Sequence, residues 1–190
     1  MQKLLRPSVA LLLIFTVLLG AVYPGTATLV ARIFFEEQAR GSLIEKDGKI
    51  LGSKLIGQPF KDPKYFWPRP SSTPEGEYNA AHSAGSNLSP ANPLLLDKIN
   101  TRVAALKKAD PNSKVRIPVD LVTASSSGLD PHITLAAANY QIPRVAKARK
   151  ITEDKVRELV KRNTEYSALG VFGENRVNVL LLNLSLDGKL

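Results

Sequence analysis

The chain has 190 residues, 44% hydrophobic and 23% charged, with a formal net charge of +9. That is the composition of one folded domain with an appendage. It has no cysteine and two histidines, His82 and His132, which excludes disulfides, thiolate metal sites, cysteine nucleophiles and a histidine-rich metal centre. The positive balance suits an anionic surface, yet no nucleic-acid motif is present, and Gly48-Lys49 lacks the upstream glycine and the following Ser/Thr of a phosphate loop.

From Pro7 to Ala31 no residue is charged. A helix rises about 1.5 Å per residue, so roughly 20 residues cross a hydrocarbon core of about 30 Å. The expected division is residues 1–6 in the cytoplasm, a transmembrane helix over 7–31 and an extracytoplasmic domain over 32–190. Lys3 and Arg6 precede the run, whereas Arg32 is followed by Glu36 and Glu37, and the positive-inside rule sets that orientation. Pro24-Gly25 predicts a kink, with the helix continuing toward Val30. A signal peptide cut at "GTA" (25–27) and a buried core helix are the competing readings. "VARIFFEEQA" continues helical, with Phe34 and Phe35 at the membrane interface.

Residues 43–93 are rich in Gly, Pro, Ser and Asn and read as irregular. Their aromatics Phe60, Tyr65, Phe66 and Trp67 argue for a loop pinned onto the core or for a partner-binding surface. A helix follows, with Asn92-Pro93 as cap and first turn, a stripe of Leu96, Ile99, Val103 and Leu106, and Lys107 and Lys108 at its end. "RIPVDLVTAS" reads as a strand or strand pair. Helices are expected from Pro131 to about Tyr140, from Pro143, and from Thr152 as N-cap. "VNVLLLNLSL" reads as a strand covered on both faces. The architecture is therefore α+β, one N-terminal membrane helix followed by one mixed helix/sheet domain. Arg144, Lys147, Arg149 and Lys150 form either a solvated helix face or a site for anionic lipid or an acidic partner.

"VTASSSGLDPHIT" (122–134) holds the residue types of a serine hydrolase. Ser127-Gly128 has no glycine two residues earlier, as a nucleophile elbow requires, and Asp130 and His132, two apart at a helix start, are not expected to face each other. The capping reading is stronger. Asp130 accepts from the N–H of His132 or Ile133, and Pro131 stands at the first helical position. His132 is then expected to be a neutral hydrogen-bonding residue, with a pH-sensing or ligand role as the alternative.

These segments resemble the C subunit of the Kdp potassium-transporting ATPase, a bacterial P-type transport complex. The likeness rests on "GSLI" (41–44), "GSKLIGQPF" (52–60), "YFWPRPS" (65–71), "SAGSN" (83–87), "NP" (92–93), "PVDLVTASSSGLDPHIT" (118–134), "QIPRVAKAR" (141–149) and "VNVLLLNLSLD" (177–187). One departure is Leu135, where the family commonly carries proline. The resemblance implies a bacterial inner-membrane location and three partners besides lipid: a channel-like potassium-conducting subunit, a P-type ATPase subunit and a small single-span subunit. It implies a non-catalytic accessory chain that stabilises the complex, and a catalytic chaperone that raises the ATPase subunit's affinity for ATP. ATP enters through the family description alone. Direct nucleotide binding by the domain is the alternative, and an anchored serine hydrolase the remote one. Along with the helix cap of Asp130 and Pro131, the candidate partner contacts are Tyr65, Phe66, Trp67, Arg69, Ser71, Asn87, Ser125, His132 and Arg144.

Overall fold

The computed structural model describes residues 2–167, 170 and 172–190, with side chains from Leu4. Met1, Ala168, Leu169 and Val171, and the side chain of Lys3 used to orient the span, lie outside the described residues. Two compact units divide the chain between Leu43 and Ile44.

The first unit is helical. Helix α1 (Gln2–Val17) passes through a π-turn (Leu18–Val22) into α2 (Tyr23–Phe34). Pro24 has no N–H to return to the preceding turn, and the wider turn before it makes room for its ring. The Thr26 hydroxyl bonds back to the Val22 carbonyl one turn earlier at 2.8 Å, so that it leaves no unpaired donor on an apolar helix. Among the described residues, Leu4–Phe34 is one helix long and apolar enough to cross a membrane, with none of its most apolar window buried within the chain. At 31 residues it measures about 46 Å. The backbone breaks at Phe35 (φ −139°, ψ 48°) before the short α3 (Glu36–Ala39).

The second unit opens with paired strands β1 (Leu43–Lys46) and β2 (Lys49–Ser53). Asp47 (φ 51°) and Gly48 (φ 72°) join them, both left-handed, as a tight hairpin turn requires. The irregular stretch therefore begins at residue 54, not 43. It runs to α4 (Pro93–Ala109), whose cap is the expected one: the Asn92 side chain accepts from the Leu94 N–H at 3.0 Å. The α4 stripe is shifted. Leu106 is buried and Ile99 and Val103 half-buried, but Leu95 takes the inner position and Leu96 is exposed.

"RIPVDLVTAS" contains a 3-10 turn (Val119–Leu121) and no strand. The expected helix from Pro131 is also corrected. Residues His132–Thr134 form β3, and α5 (Leu135–Arg149) starts four residues later. Its cap is Thr134, which accepts from the Ala137 N–H at 3.1 Å. Leu135 is thus the first helical residue, where an N–H has no intrahelical partner and proline fits equally well. Pro143 does not open a new helix but lies inside α5. Pro143 and Asn139, one turn earlier, are both exposed, so the carbonyl that loses its partner faces water. Helix α6 (Glu153–Arg162) begins at Thr152 as expected.

The last correction concerns "VNVLLLNLSL". Only Arg176–Asn178 is a strand (β5), followed by α7 (Val179–Leu186). β5 is central between β3 and β4 (Thr164–Glu165), antiparallel to both, with Ile133 and Thr164 opposite Val177, and Thr134 and Glu165 opposite Arg176. Side chains alternate across a sheet, so Ile133, Val177 and Thr164 enter the core, and Thr134, Arg176 and Glu165 share the outer face. Helix α7 is apolar all round because it lies between two clusters. Val179 and Leu182 join the main core with Phe66, Leu121, Ile142 and Val156, while Leu180 and Leu184 pack on Ile44. A helix buried on every side carries no amphipathic period.

Candidate partner-binding face

The irregular stretch is held by buried amides. Phe66 N–H donates to Asn183 Oδ1 (2.8 Å) and Asn183 Nδ2 to the Phe66 carbonyl (3.0 Å). Trp67 N–H donates to Gln141 Oε1 (2.7 Å) and Gln141 Nε2 to the Trp67 carbonyl (3.1 Å). Helices α5 and α7 thus supply to residues 66–67 the donors and acceptors that a neighbouring strand would. Arg144 completes the set, donating to the Pro63 carbonyl, the Tyr65 carbonyl (3.1 Å) and Gln141 Oε1 (2.6 Å). Its guanidinium lies 4.7 Å from the Trp67 ring centre, and that of Arg102 5.3 Å, a favourable cation–π arrangement. Burial lowers the Arg144 pKa to about 10, which leaves it charged at neutral pH.

Several candidate contacts are therefore internal. Phe66 and Trp67 belong to the core, and Arg144 and Ser125 are buried. Arg144 is not part of a solvated basic face. Arg149 pairs with Asp187 at 2.7 Å, while Lys147 and Lys150 stay exposed. Tyr65 is half-buried, its hydroxyl donating to Asp187 at 2.9 Å. Asn87 is exposed, in a left-handed conformation. Ser71 is a hub. Its hydroxyl donates to the Gly128 carbonyl (2.7 Å) and accepts from the Tyr78 N–H (2.9 Å).

Residues 122–131 cross this hub. The Ser127 carbonyl accepts from Ala84 N–H, the Leu129 carbonyl from Gly57 N–H, and the Pro131 carbonyl from Val179 N–H. Asp130 accepts from the His132 N–H at 3.0 Å, the donor expected, but the turn leads into a strand. Asp130 and Pro131 cap no helix. That geometry also reverses another expectation, because His132 Nδ1 lies 3.4 Å from Asp130 Oδ1. The other ring nitrogen is 3.6 Å from Glu165. Arg69 meets Asp130 at 3.1 Å, and Arg176 meets Glu165 at 2.8 Å. The result is one row of polar side chains, Arg69, Asp130, His132, Glu165 and Arg176, with the imidazole between two carboxylates. Clefts of 590 and 230 Å³ flank the Arg69–Asp130 pair, the first lined by Ser125, Ser126 and Ser127, the second by His132 and Arg176. The serines are engaged elsewhere. Ser125 and Ser127 hydroxyls lie 3.5 Å apart, and Ser127 accepts from the Leu129 N–H. His132 is oriented by acids and faces neither hydroxyl as a base would.

Burial works against ionisation of Asp130, but the His132 ring, the His132 N–H and Arg69 outweigh it and hold the carboxyl below its usual range. A depressed carboxylate contributes stability above its unfolded pKa of about 4 and loses it as pH falls through the folded value. Asp130→Asn keeps the turn acceptor and removes the charge. It should cost about 1–2 kcal/mol at pH 7, and the difference from the unsubstituted chain should shrink as pH falls below about 4. Urea unfolding at pH 7, 5 and 3 measures this.

Sequence reading missed Gln141, Asn183, Arg102 and Glu165. Gln141 and Asn183 had a signal, a lone amide inside an otherwise apolar helical face. Arg102 and Glu165 had none.

The architecture defines a class first: an N-terminal helix long and apolar enough to cross a membrane, followed by one α+β domain. A family model described as "K+-transporting ATPase, c chain" matches residues 5–188. The potassium-transporting ATPase KdpC subunit of Sorangium cellulosum is 55% identical over 184 residues, 97% of each chain. That of Methylococcus capsulatus is 56% identical over 182 residues, 96% of each chain, and that of Dechloromonas aromatica 55% over 187 residues, 98% of each. The chain belongs to the KdpC family, the c subunit of potassium-transporting ATPases.

Proposed function

We propose that the chain is a non-catalytic accessory subunit that stabilises assembly of the pump's channel-like, P-type ATPase and small single-span subunits. The observation that carries this is the helix Leu4–Phe34, whose most apolar window is wholly unburied within its own chain. Such a surface requires lipid or other membrane helices around it. The Asp-Lys-Thr-Gly-Thr phosphorylation sequence and a Thr-Val-Gly-Tyr-Gly filter are absent from the chain, so ATP turnover and ion selection rest with the partners. Any effect on ATP affinity then acts by biasing the ATPase subunit's conformational equilibrium.

The charges flanking the span support an orientation with the N-terminus in the cytoplasm and residues 32–190 outside. Cysteine at the exposed Ser126 should react with an impermeant thiol reagent on intact cells. Protection there, with labelling after lysis, would reverse the orientation and reopen direct nucleotide binding. Deleting residues 1–31 should abolish co-purification with the pump. If the truncated chain still co-purified and restored full transport, assembly through the anchor would be wrong.

A further inference from the structure

Arg149, Arg157, Arg162 and Arg176 each meet a carboxylate. The end of α4 and the loop after it differ. Lys107, Lys108, Lys114 and Arg116 are all exposed, and among the described residues none of these side chains has an acid or a hydrogen-bond partner. Lys107 and Lys108 suit the negative end of the helix, but that reason does not extend to Lys114 and Arg116. The acid of the segment, Asp110, is half-buried, and its charge acts on the buried Arg144 guanidinium. Asp97, the other acid of α4, stands about 15 Å back along the helix axis from Lys107. Val115 and Val119 lie among these cations, 68% and 69% exposed, while Ile117 between them packs on the core.

Composition decides between a protein and a bilayer. Protein contacts are built on aromatic and arginine anchors and are poor in lysine. Residues 107–119 contain no aromatic, and three of the four cations are lysine. Long lysine stems around single aliphatic side chains match anionic headgroups over hydrocarbon. A bilayer is also within reach. Residues 35–43 join the apolar helix to this unit, at most about 30 Å of extended chain. A tether that short keeps a weak surface contact occupied. We infer that residues 107–119 form a second, peripheral membrane contact. Lys107, Lys108, Lys114 and Arg116 meet anionic phospholipid headgroups, and Val115 and Val119 enter the boundary beneath them. This rests on the membrane anchor proposed above and adds to it a lipid partner for the α+β domain, on whichever side of the membrane the domain stands.

The chain has no cysteine, so Val115→Cys gives a single site for a fluorophore. The labelled full chain is placed in nanodiscs whose lipids carry a headgroup quencher. Quenching should be strong with phosphatidylglycerol present and weak in phosphatidylcholine alone. In 1 M salt, where charges act over about 3 Å, the two lipids should give the same weak signal. Each cation near an anionic surface contributes about fivefold. Lys114→Gln together with Arg116→Gln should therefore weaken the quenched state about twentyfold, with the urea midpoint unchanged because both side chains are exposed. Equal quenching in the two lipids, or none in either while the chain stays in the disc, would overturn the contact and leave the anchor standing. A chain that leaves the disc would refute the anchor and the contact with it. In the purified pump, a benzophenone amino acid at position 115 should join the chain to lipid on irradiation. Adducts with another subunit alone would make the segment a protein contact and overturn the inference.

Discussion

Asn183→Leu should lower the unfolding free energy by about 3 kcal/mol, seen as a lower urea midpoint with an unchanged slope. The side chain is 1% exposed, and leucine matches its size, so packing alone predicts little change. The cost comes from the Phe66 N–H and carbonyl, which lose their partners at 2.8 and 3.0 Å in a place water does not reach. Each buried polar group left unsatisfied costs about 1–3 kcal/mol. Gln141→Leu should cost more, because it also strips a partner from the buried Arg144 guanidinium. The pair should be non-additive, since both amides hold adjacent residues of one segment. If Asn183→Leu were neutral, Phe66 would have to be held by its apolar ring and by the Gln141 and Arg144 bonds to its neighbours.

The second large effect is expected from Gly128→Ala. Gly128 has φ +67°, and a Cβ there would lie 2.6 Å from the Ala84 carbonyl oxygen and 2.7 Å from Thr73 Cγ2. The left-handed backbone and the overpacking each cost about 1–3 kcal/mol. A loss of about 3 kcal/mol should follow, again read by urea unfolding. Gly188→Ala is the control. It has nearly the same left-handed backbone (φ +64°), but its Cβ would meet nothing within 4 Å. The difference between the two variants isolates the close approach of Gly128 to residues 73 and 84. Equal losses would show that backbone strain alone accounts for the effect.

What the sequence disclosed follows from the range of the interaction involved. Asn92 and Thr152 could be read as caps because the capping oxygen and the N–H that donates to it sit within three residues of each other. Asp130 uses the same local chemistry, an oxygen accepting an N–H two residues on, but that turn serves a strand as well as a helix. Proline after aspartate did not distinguish them. Strands of two or three residues, such as β3 and β4, are too short to show alternation. Helix α7 lost its period because both its sides are covered. Asp47-Gly48 is a hairpin signal that averaging over a glycine- and proline-rich window hides. The aromatics of 60–67 rightly suggested a pinned loop. What pins them lies 74 and 117 residues away, and no local pattern reports that distance. Of the candidate partner contacts, the most conspicuous residues, Phe66, Trp67 and Arg144, are the ones the fold uses internally.

The placement of β5 and α7 has a consequence for biosynthesis. The central strand of the sheet, the helix that fills both apolar clusters and the amide that holds Phe66 all come from residues 176–186. Until those residues leave the ribosome, β3 and β4 have no strand between them and the aromatic segment has no Asn183. Domains generally fold as units as synthesis proceeds, but this one must wait for almost its whole length. A ribosome that stalls before residue 176 releases a chain with the complete apolar helix Leu4–Phe34 and a domain that lacks its central strand and last helix. Such a fragment would expose apolar surface that the full chain buries, a ready target for proteolysis.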